Sequence, residues 1–185
     1  MEIFYLFFFL LVLQRLFELF LARQNEKWMK ERGAVEFGQR HYLLIVAVHV
    51  LFFAFYFLEV VLGDKGLSPA WPFLLLLFFF AQLMRIWIIS SLGKHWNTKI
   101  IVLPGSPLVK KGPYRFFKHP NYAVVAVEFI VIPLLFQAYV TAVLFSLLNL
   151  AVLAVRSPAE EEALGMEREP SLLRRGLAGK FLNKE

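Results

Sequence analysis

A polar loop that precedes a long apolar segment carries residues suited to binding an anion. Pro120 follows His119 directly where the apolar segment begins, and proline is favoured in the first turn of a helix. His119 is therefore predicted at a helix N-terminus, where exposed N–H groups and the helix dipole attract a carboxylate or another anion. Four cations of the same loop strengthen this positive potential: Lys110, Lys111, Arg115 and Lys118. The alternative is a basic loop that simply lies on lipid headgroups.

Three consecutive carboxylates follow the same apolar segment and suit a cationic group. Glu160, Glu161 and Glu162 come shortly after Arg156, at an otherwise basic end of the protein. A new helix that begins at Pro158 would also explain these acids, because a helix N-terminus favours them. If the apolar segment turns back on itself, the carboxylates and the basic loop emerge on the same face. Together they suit a zwitterionic ligand.

Charged residues lie inside several of the predicted membrane-spanning helices. Arg15 and Glu18 are three positions apart, so they share a helix face and are expected to pair. Arg85 lies near one end of its helix, and we expect its long side chain to reach the headgroups. Glu128 has no basic residue three or four positions away and must face a partner or a hydrated cavity. Because an intramembrane ionisable group points to function by default, Glu128 is a candidate for catalysis or ligand contact.

The composition indicates that these residues belong to an integral membrane protein. The chain has 185 residues, of which 59% are hydrophobic, and its mean hydropathy is +0.61. Segments long enough to cross a bilayer run over Ile3–Leu21, Tyr42–Leu62 and Ala70–Ile89. The apolar block from Tyr122 to Val155 is too long for one ordinary helix and contains Pro133, which predicts a tight hairpin of two short helices. The sequence thus predicts an all-α polytopic membrane protein with about five transmembrane helices.

The distribution of basic residues predicts the orientation in the membrane. Seventeen of the 20 Lys and Arg residues fall within residues 22–40, 93–120 and 156–184. Since cytoplasmic segments carry the excess of basic residues, we expect the N-terminus outside the cell membrane and the C-terminus in the cytosol. The pI of about 9.7 then reflects topology and contact with anionic membrane lipids, and no nucleic-acid partner is expected. Cysteine is absent, which excludes disulfides and Cys-ligated metals, and no metal site is expected.

The whole chain, residues 1–185, is expected to form one domain. Residues 1–91 supply the first three helices, residues 92–165 the polar loop, the hairpin and the acidic segment, and residues 166–185 a basic tail. Glu2 stands where a signal peptide would carry basic residues, so we expect the first helix to remain attached. The tail is predicted to form an interfacial amphipathic helix, because apolar residues recur at every fourth position: Leu173, Leu177 and Phe181.

The polar loop and the acidic segment together resemble a known family. The matching elements are Leu92-Gly93 with Trp96, Leu108-Val109, Gly112-Pro113-Tyr114-Arg115, Lys118-His119-Pro120 with Tyr122, and Arg156 with Glu160-Glu161 and Leu164. This two-part pattern is similar to that of the isoprenylcysteine carboxyl methyltransferase-like integral membrane methyltransferases. The chain departs from the family in two places. Lys118 replaces the usual Arg before the His-Pro pair, and Ala123 and Val124 stand where a Gly usually follows the Tyr.

The resemblance implies S-adenosylmethionine as the methyl donor and suggests roles for individual residues. The residues that would hold the carboxylate and the adenosine end are Gly112, Pro113, Tyr114, His119, Pro120 and Tyr122. Glu160 and Glu161 would receive the ammonium group or the ribose hydroxyls, and Arg156 would orient the acceptor oxygen. The sulfonium, ammonium and carboxylate of this donor agree with the zwitterion site deduced above from residue types.

The first helix extends the resemblance to one bacterial branch of this family. The stretches Gln14-Arg15-Leu16-Phe17-Glu18 and Asn25-Glu26-Lys27-Trp28 are similar to those of proteins that accompany type III polyketide synthases and O-methylate long-chain alkylpyrones. This similarity implies a lipophilic acceptor that enters from the bilayer. It also implies a functional pairing with such a synthase.

Three alternatives remain open at the level of the sequence. The same scaffold is compatible with methylation of an isoprenylcysteine carboxylate or of a phospholipid amine. A membrane reductase that uses NADPH is the second alternative, since related polytopic C-terminal halves bind a nicotinamide cofactor. The third is a small transporter or structural membrane protein, in which Arg15, Glu18 and Glu128 would form a polar path.

Overall fold

The structure is a computed structural model that describes residues 1–106 and 109–168. Leu108 of the family-like pattern and the amphipathic helix predicted for the basic tail lie outside the described residues. Five α-helices are present in the described part of the chain: α1 (Glu2–Lys30), α2 (Gln39–Leu62), α3 (Trp71–Leu92), α4 (Pro120–Leu135) and α5 (Tyr139–Arg168). A two-stranded antiparallel sheet pairs β1 (Val35–Phe37) with β2 (Ile100–Val102). The prediction of an all-α polytopic membrane protein is confirmed, with this small sheet as an addition.

The helices have the lengths that a bilayer requires. Within the described residues, four helical segments are long and apolar enough to cross a membrane: Glu2–Lys30, Tyr42–Leu62, Trp71–His95 and Tyr139–Gly165. The apolar helix α4 has 16 residues, which corresponds to about 24 Å at the α-helical rise. It is therefore slightly shorter than the hydrocarbon core of a bilayer.

The predicted hairpin of α4 and α5 is present, but its second helix is much longer than expected. The connection consists of residues 136–138, and Gln137 adopts a left-handed conformation with φ of +55°. Helix α5 runs for 30 residues and contains Pro158 in its interior. The alternative in which a new helix begins at Pro158 is therefore wrong. The three carboxylates lie along one continuous helix, so an N-terminal preference does not account for them.

The hairpin turn is fastened to α2 by one carboxylate. Glu59 accepts hydrogen bonds from the backbone N–H of Val140 at 3.1 Å and of Thr141 at 2.7 Å, and from the Thr141 hydroxyl at 2.6 Å. Lys65 pairs with the same carboxylate and also donates to the carbonyl of Gln137 at 3.0 Å. Glu59 thus satisfies the free N–H groups at the start of α5 and fixes its register against α2.

Aromatic side chains fill the core between α2, α4 and α5. Phe52 stacks on Phe129 with 4.6 Å between ring centroids, and its edge contacts Phe145 at 5.6 Å. All three rings are nearly or fully buried. Such contacts fix the relative heights of the three helices, and these helices position the polar end of the bundle.

A charge network crosses the interior of the bundle and joins α1, α3 and α4. Glu128 accepts hydrogen bonds from Arg15 at 2.6 Å and from Gln82 at 2.9 Å, and it is paired with Arg85. Glu18 accepts from Arg15 at 2.7 Å and from Arg85 at 3.2 Å. The predicted pair of Arg15 and Glu18 is confirmed, and the partners that Glu128 requires are two arginines on other helices. Two cations and two anions balance here, which limits the cost of their burial in the membrane.

The expected role of Arg85 as a headgroup anchor is wrong. Its side chain is 4% exposed and points into the bundle, where it contacts both Glu18 and Glu128. An arginine at that depth is more stable beside two carboxylates than extended along lipid, because its charge is then compensated locally.

Candidate active site

A cavity of about 440 Å³ opens at the end of the bundle where the polar loop lies. We call this end of the molecule the loop end, and the cavity the loop-end cavity. Its walls come from the polar loop, the first turn of α4 and the last turns of α5. Six of the residues selected from the sequence line it: Tyr114, His119, Tyr122, Arg156, Glu160 and Glu161. The hairpin therefore brings the two parts of the sequence pattern together.

The small sheet supports one wall of the loop-end cavity. Ile100 and Val102 of β2 pack against Ala163 of α5. The neighbouring Lys99 contacts Glu26 at 2.8 Å and Glu36 at 3.3 Å, which ties the polar loop to α1 and β1. Although its burial acts in the opposite direction, these two carboxylates raise the pKa of Lys99 above its usual value. The lysine stays charged at neutral pH and holds the loop in place.

The predicted anion-binding and cation-binding groups contact each other in the wall of the cavity. His119 lies immediately before the first residue of α4, as the sequence predicts, and its Nε2 is 3.2 Å from a carboxylate oxygen of Glu161. Lys118 also contacts Glu161, at 2.6 Å. The imidazole of His119 stacks on the ring of Tyr122 with 5.0 Å between centroids. Positive and negative groups are thus close enough for one small zwitterion to contact both.

Arg156 and Tyr122 form a hydrogen-bonded unit at the floor of the cavity. The Tyr122 hydroxyl donates to Glu160 and accepts from Nε of Arg156 at 3.0 Å. Nη2 of Arg156 donates to the carbonyl of Thr98 at 2.8 Å. The guanidinium is therefore oriented by α4 on one side and by the polar loop on the other, and its position is defined.

Tyr114 contributes a neutral hydroxyl to the same cavity. Its burial, and to a smaller extent the negative charge of Glu160, raise the pKa of the Tyr114 phenol well above its usual range. The phenol therefore remains protonated at neutral pH. It can donate a hydrogen bond to a ligand but does not serve as a base.

Three predicted binding residues shape the loop without lining the cavity. Gly112, Pro113 and Pro120 are absent from the cavity wall within the described residues. Pro113 and Pro120 are buried, and Gly112 has φ of +55° and lies against Ser91 of α3. Their backbone sets the path of the loop, and the side chains on either side of them reach the cavity.

Replacing Gly112 by Ala is expected to destabilise the protein more than the same change at Gly105. An L-residue at positive φ costs about 1 to 2 kcal/mol at either position. At Gly112, the added Cβ would also lie 2.1 Å from Oγ of Ser91 and 2.9 Å from Nε1 of Trp87. Gly105 also has a positive φ, of +78°, but an added Cβ meets nothing within 4 Å. Equal losses in the free energy of unfolding would show that Gly112 is not tightly packed against α3.

A second cavity of about 360 Å³ lies deeper in the bundle, among α1, α2 and α5. We call it the membrane cavity. Its lining is largely aliphatic, as with Val12, Ile45, Val48 and Val152. The residues that line both cavities are Trp96, Asn97, Asn121, Tyr122 and Arg156. The two spaces are therefore adjacent, and the Tyr122–Arg156 unit belongs to the wall that they share.

Glu128 lies apart from both cavities. It is 1% exposed, and it does not line either space among the residues that the structure describes. Its carboxylate is held by Arg15, Arg85 and Gln82. Arg15, Arg85 and Glu18 do line the membrane cavity, so the network of Glu128 forms part of the wall of that space.

Two asparagines at the junction of the cavities were not singled out by the sequence. Nδ2 of Asn97 donates to the carbonyl of Ala22 at 3.1 Å, and its Oδ1 accepts from the backbone of Lys99 at 3.0 Å. Asn121 lies between Pro120 and Tyr122, and its Oδ1 is buried without a partner in the described residues. An isolated asparagine in a loop usually reflects a turn, so the residue type alone does not indicate a binding role. The only feature of the sequence that could have identified these two residues is their proximity to the family-like pattern.

Comparison with known proteins agrees with this architecture. Residues 74–166 match a family model described as the isoprenylcysteine carboxyl methyltransferase (ICMT) family. An uncharacterized protein of Bacillus subtilis, YpbQ, is 50% identical over 155 residues, which cover 84% of this chain and 92% of that protein. An uncharacterized protein of Haemophilus influenzae is 30% identical over 154 residues, with 81% and 88% of the two chains covered. No solved structure matches the chain significantly.

Proposed function

Because this chain belongs to the isoprenylcysteine carboxyl methyltransferase family of membrane methyltransferases, we propose that it transfers a methyl group from S-adenosylmethionine to an oxygen of a lipophilic acceptor. We further propose that the acceptor is a long-chain alkylpyrone. The observation that carries this proposal is the junction of a polar cavity with an apolar one at Tyr122 and Arg156. A polar donor and a lipid-soluble acceptor need two such spaces that meet at one point.

The residues of the loop-end cavity fit S-adenosylmethionine. Its carboxylate would bind at the positive end of α4 beside His119 and Lys118, and its ammonium and ribose hydroxyls would bind Glu160 and Glu161. These contacts would replace those that Glu161 makes with Lys118 and His119 at the cavity wall. The volume of about 440 Å³ lies within the usual range for small-molecule sites. The buried Oδ1 of Asn121 has no partner in the described chain and is available to accept a hydrogen bond from a ligand. Members of this family generally use this donor, which supplies an electrophilic methyl group.

The chain's own residues position the acceptor, and little acid–base chemistry is required. Methyl transfer from a sulfonium to an ionised oxygen neutralises both charges, so the main task is alignment of the reacting atoms. The enol of a hydroxypyrone is acidic and arrives largely ionised. Arg156, which is held by Tyr122 and Thr98, would attract that oxygen at the junction. The alkyl chain would then extend into the membrane cavity, among the aliphatic side chains of α1, α2 and α5.

The site gives less support to the alternatives. The pyrophosphate of a nicotinamide dinucleotide would approach Glu160 and Glu161, whose charges oppose it. A polar path for a transporter would need Arg15, Glu18 and Glu128 to be available, but all three bind one another or Arg85. A phospholipid amine or an isoprenylcysteine carboxylate remains compatible with the scaffold, and the choice of an alkylpyrone rests on the resemblance of the first helix.

The proposal extends to the orientation and to the supply of the acceptor. The loop end carries most of the basic residues, which supports a cytosolic location for it, with the N-terminus outside the cell membrane. The donor would then enter from the cytosol and the acceptor from the bilayer. A type III polyketide synthase is the proposed source of the alkylpyrone. Residues 1–185 would act as one methyltransferase domain.

The first experiment measures transfer of a labelled methyl group from S-adenosylmethionine to a long-chain hydroxypyrone in detergent. We expect product from the native chain, and we expect His119→Ala and Glu161→Ala to weaken donor binding about 10- to 100-fold, the effect of losing a charge-assisted hydrogen bond. Glu162→Ala is the matched control, because Glu162 is an exposed neighbour that does not line the described cavity wall.

The outcomes separate the parts of the proposal. Donor binding without methylation of the pyrone would show that the acceptor is wrong. Absence of donor binding in a folded native sample would overturn the use of S-adenosylmethionine. Equal effects of the Glu161 and Glu162 variants would show that Glu161 has no specific role in the cavity.

A further inference from the structure

A nearly buried asparagine of α5 lines the membrane cavity with its side chain. Asn149 is 4% exposed and lines this cavity together with Val152 and Leu153. Its side chain makes no hydrogen bond with any residue in the part of the chain that the structure describes. An amide in an apolar space costs free energy unless it is hydrogen-bonded, and inside a membrane-spanning helix such a group points to a ligand.

His49 offers a free acceptor to the same cavity. Its Nδ1 lies 2.8 Å from the carbonyl oxygen of Ile45. Because a carbonyl only accepts hydrogen bonds, Nδ1 must carry the proton. In the neutral imidazole, Nε2 is then unprotonated and accepts a hydrogen bond. His49 also lines the membrane cavity.

The two groups lie at nearly the same depth in the bundle. Helices α2 and α5 are antiparallel, with Glu59 bonded to Thr141 and Phe55 in contact with Phe145. This register places residue 51 opposite Asn149. His49 is two positions from residue 51, which corresponds to about 3 Å along the helix axis.

Arg156 defines the distance of this pair from the proposed reaction point. Arg156 follows Asn149 by seven positions on α5, and residues seven apart share a helix face. Both residues line the membrane cavity. The separation along the helix axis is about 10 Å. A hydroxyl group that lies between the two side chains at that distance from the methylated oxygen would donate to Nε2 of His49 and accept from the amide of Asn149.

We propose that Asn149 and His49 form a second polar subsite in the membrane cavity, which binds a hydroxyl group on the chain of the acceptor about 10 Å from the oxygen that is methylated. This inference rests on the proposed function and specifies the acceptor further. The acceptor is a hydroxylated amphiphile, and a chain without a polar group leaves the amide and the imidazole unpaired.

The test compares two hydroxypyrones that differ in one hydroxyl group. One has a plain alkyl chain, and the other has a hydroxyl about 10 Å from the ring oxygen. Affinity for the native protein is measured by thermal-shift titration in detergent, and methyl transfer is followed in parallel. We expect the hydroxylated compound to bind about tenfold more tightly, the effect of one well-placed hydrogen-bonding group.

Variants assign that preference to the subsite. Asn149→Ala and His49→Ala are each expected to reduce the preference to about twofold or less, while binding of the plain compound is retained. Ser146→Ala is the matched control. The Ser146 hydroxyl is also a polar group on α5, and its oxygen is buried without a partner in the described chain. Because Ser146 lies outside the cavity lining, its replacement should leave the preference unchanged.

Each outcome bears on one of the two proposals. Equal affinity of the native protein for both compounds would overturn the subsite. Survival of the preference in both variants would also overturn the subsite. If neither compound binds, the hydroxypyrone acceptor of the proposed function is wrong, and the subsite that rests on it is overturned as well. Tighter binding of the hydroxylated compound without methylation would support the subsite and overturn the proposed acceptor chemistry.

Discussion

Glu128→Leu is expected to lower the free energy of unfolding by about 3 to 5 kcal/mol, the usual cost of breaking a buried ion pair by removing one partner. The native network holds two arginines and two glutamates, and Glu128 bonds both Arg15 and Arg85. Without it, one positive charge remains uncompensated inside the membrane. Reversible unfolding in mixed detergent micelles, followed by tryptophan fluorescence, provides the measurement.

A double variant separates a charge effect from a packing effect. Arg85→Met combined with Glu128→Leu restores neutrality, because Arg15 and Glu18 still form a pair. We expect the double variant to be more stable than Glu128→Leu alone. Glu31→Gln, at an exposed residue, serves as a control that should change stability by less than about 0.5 kcal/mol. If Glu128→Leu is as stable as the native chain, Glu128 does not compensate the buried arginines.

The sequence predicted the helices well because their signal is local. A run of about 20 apolar residues is sufficient to identify a spanning helix, and Pro133 in an overlong apolar block indicated the hairpin. The partners of Glu128 were not predictable, because Arg15 lies 113 positions away and Arg85 lies 43 positions away. Helical spacing reveals pairs within one helix, as it did for Arg15 and Glu18. It carries no information on which faces of different helices meet.

The candidate site was predictable only where residue types formed a pattern. His119, Tyr122, Arg156, Glu160 and Glu161 were selected from charge and from the family resemblance, and all five line the loop-end cavity. The membrane cavity was not foreseen, because an asparagine in an apolar run has no local feature that distinguishes a ligand-facing side chain from a packed one. The sheet escaped notice because each strand has three residues, which is too short for alternation to be recognised.

The position of Arg156 between the two cavities explains why its replacement is expected to lower kcat more than the affinity for either ligand. The donor would occupy the loop-end cavity and the acceptor chain the membrane cavity, so each compound has most of its contacts elsewhere. Tyr122 and Arg156 line both spaces. A group at this point acts on the alignment of the reacting atoms, and alignment affects kcat without a comparable effect on affinity.

Arg156→Ala is therefore expected to reduce kcat for methyl transfer to the hydroxypyrone about a hundredfold, as does the loss of one preorganised charged donor at other active sites. The affinity for S-adenosylmethionine should change by less than about threefold, because the guanidinium bonds Tyr122 and Thr98 and is proposed to face the acceptor. Single-turnover methyl transfer and titration of the donor measure the two quantities separately.

Two further variants define what Arg156 supplies. Arg156→Lys keeps the charge but loses the fork that spans Tyr122 and Thr98, so an intermediate loss in kcat of about tenfold is expected. Arg23→Ala removes an exposed cation from the same end of the molecule and should leave kcat unchanged. A loss of donor affinity in Arg156→Ala as large as the loss in kcat would place the guanidinium in the donor site. The role of orienting the acceptor oxygen would then pass to another residue at the junction, because the membrane cavity would still need a polar group where the two reactants meet.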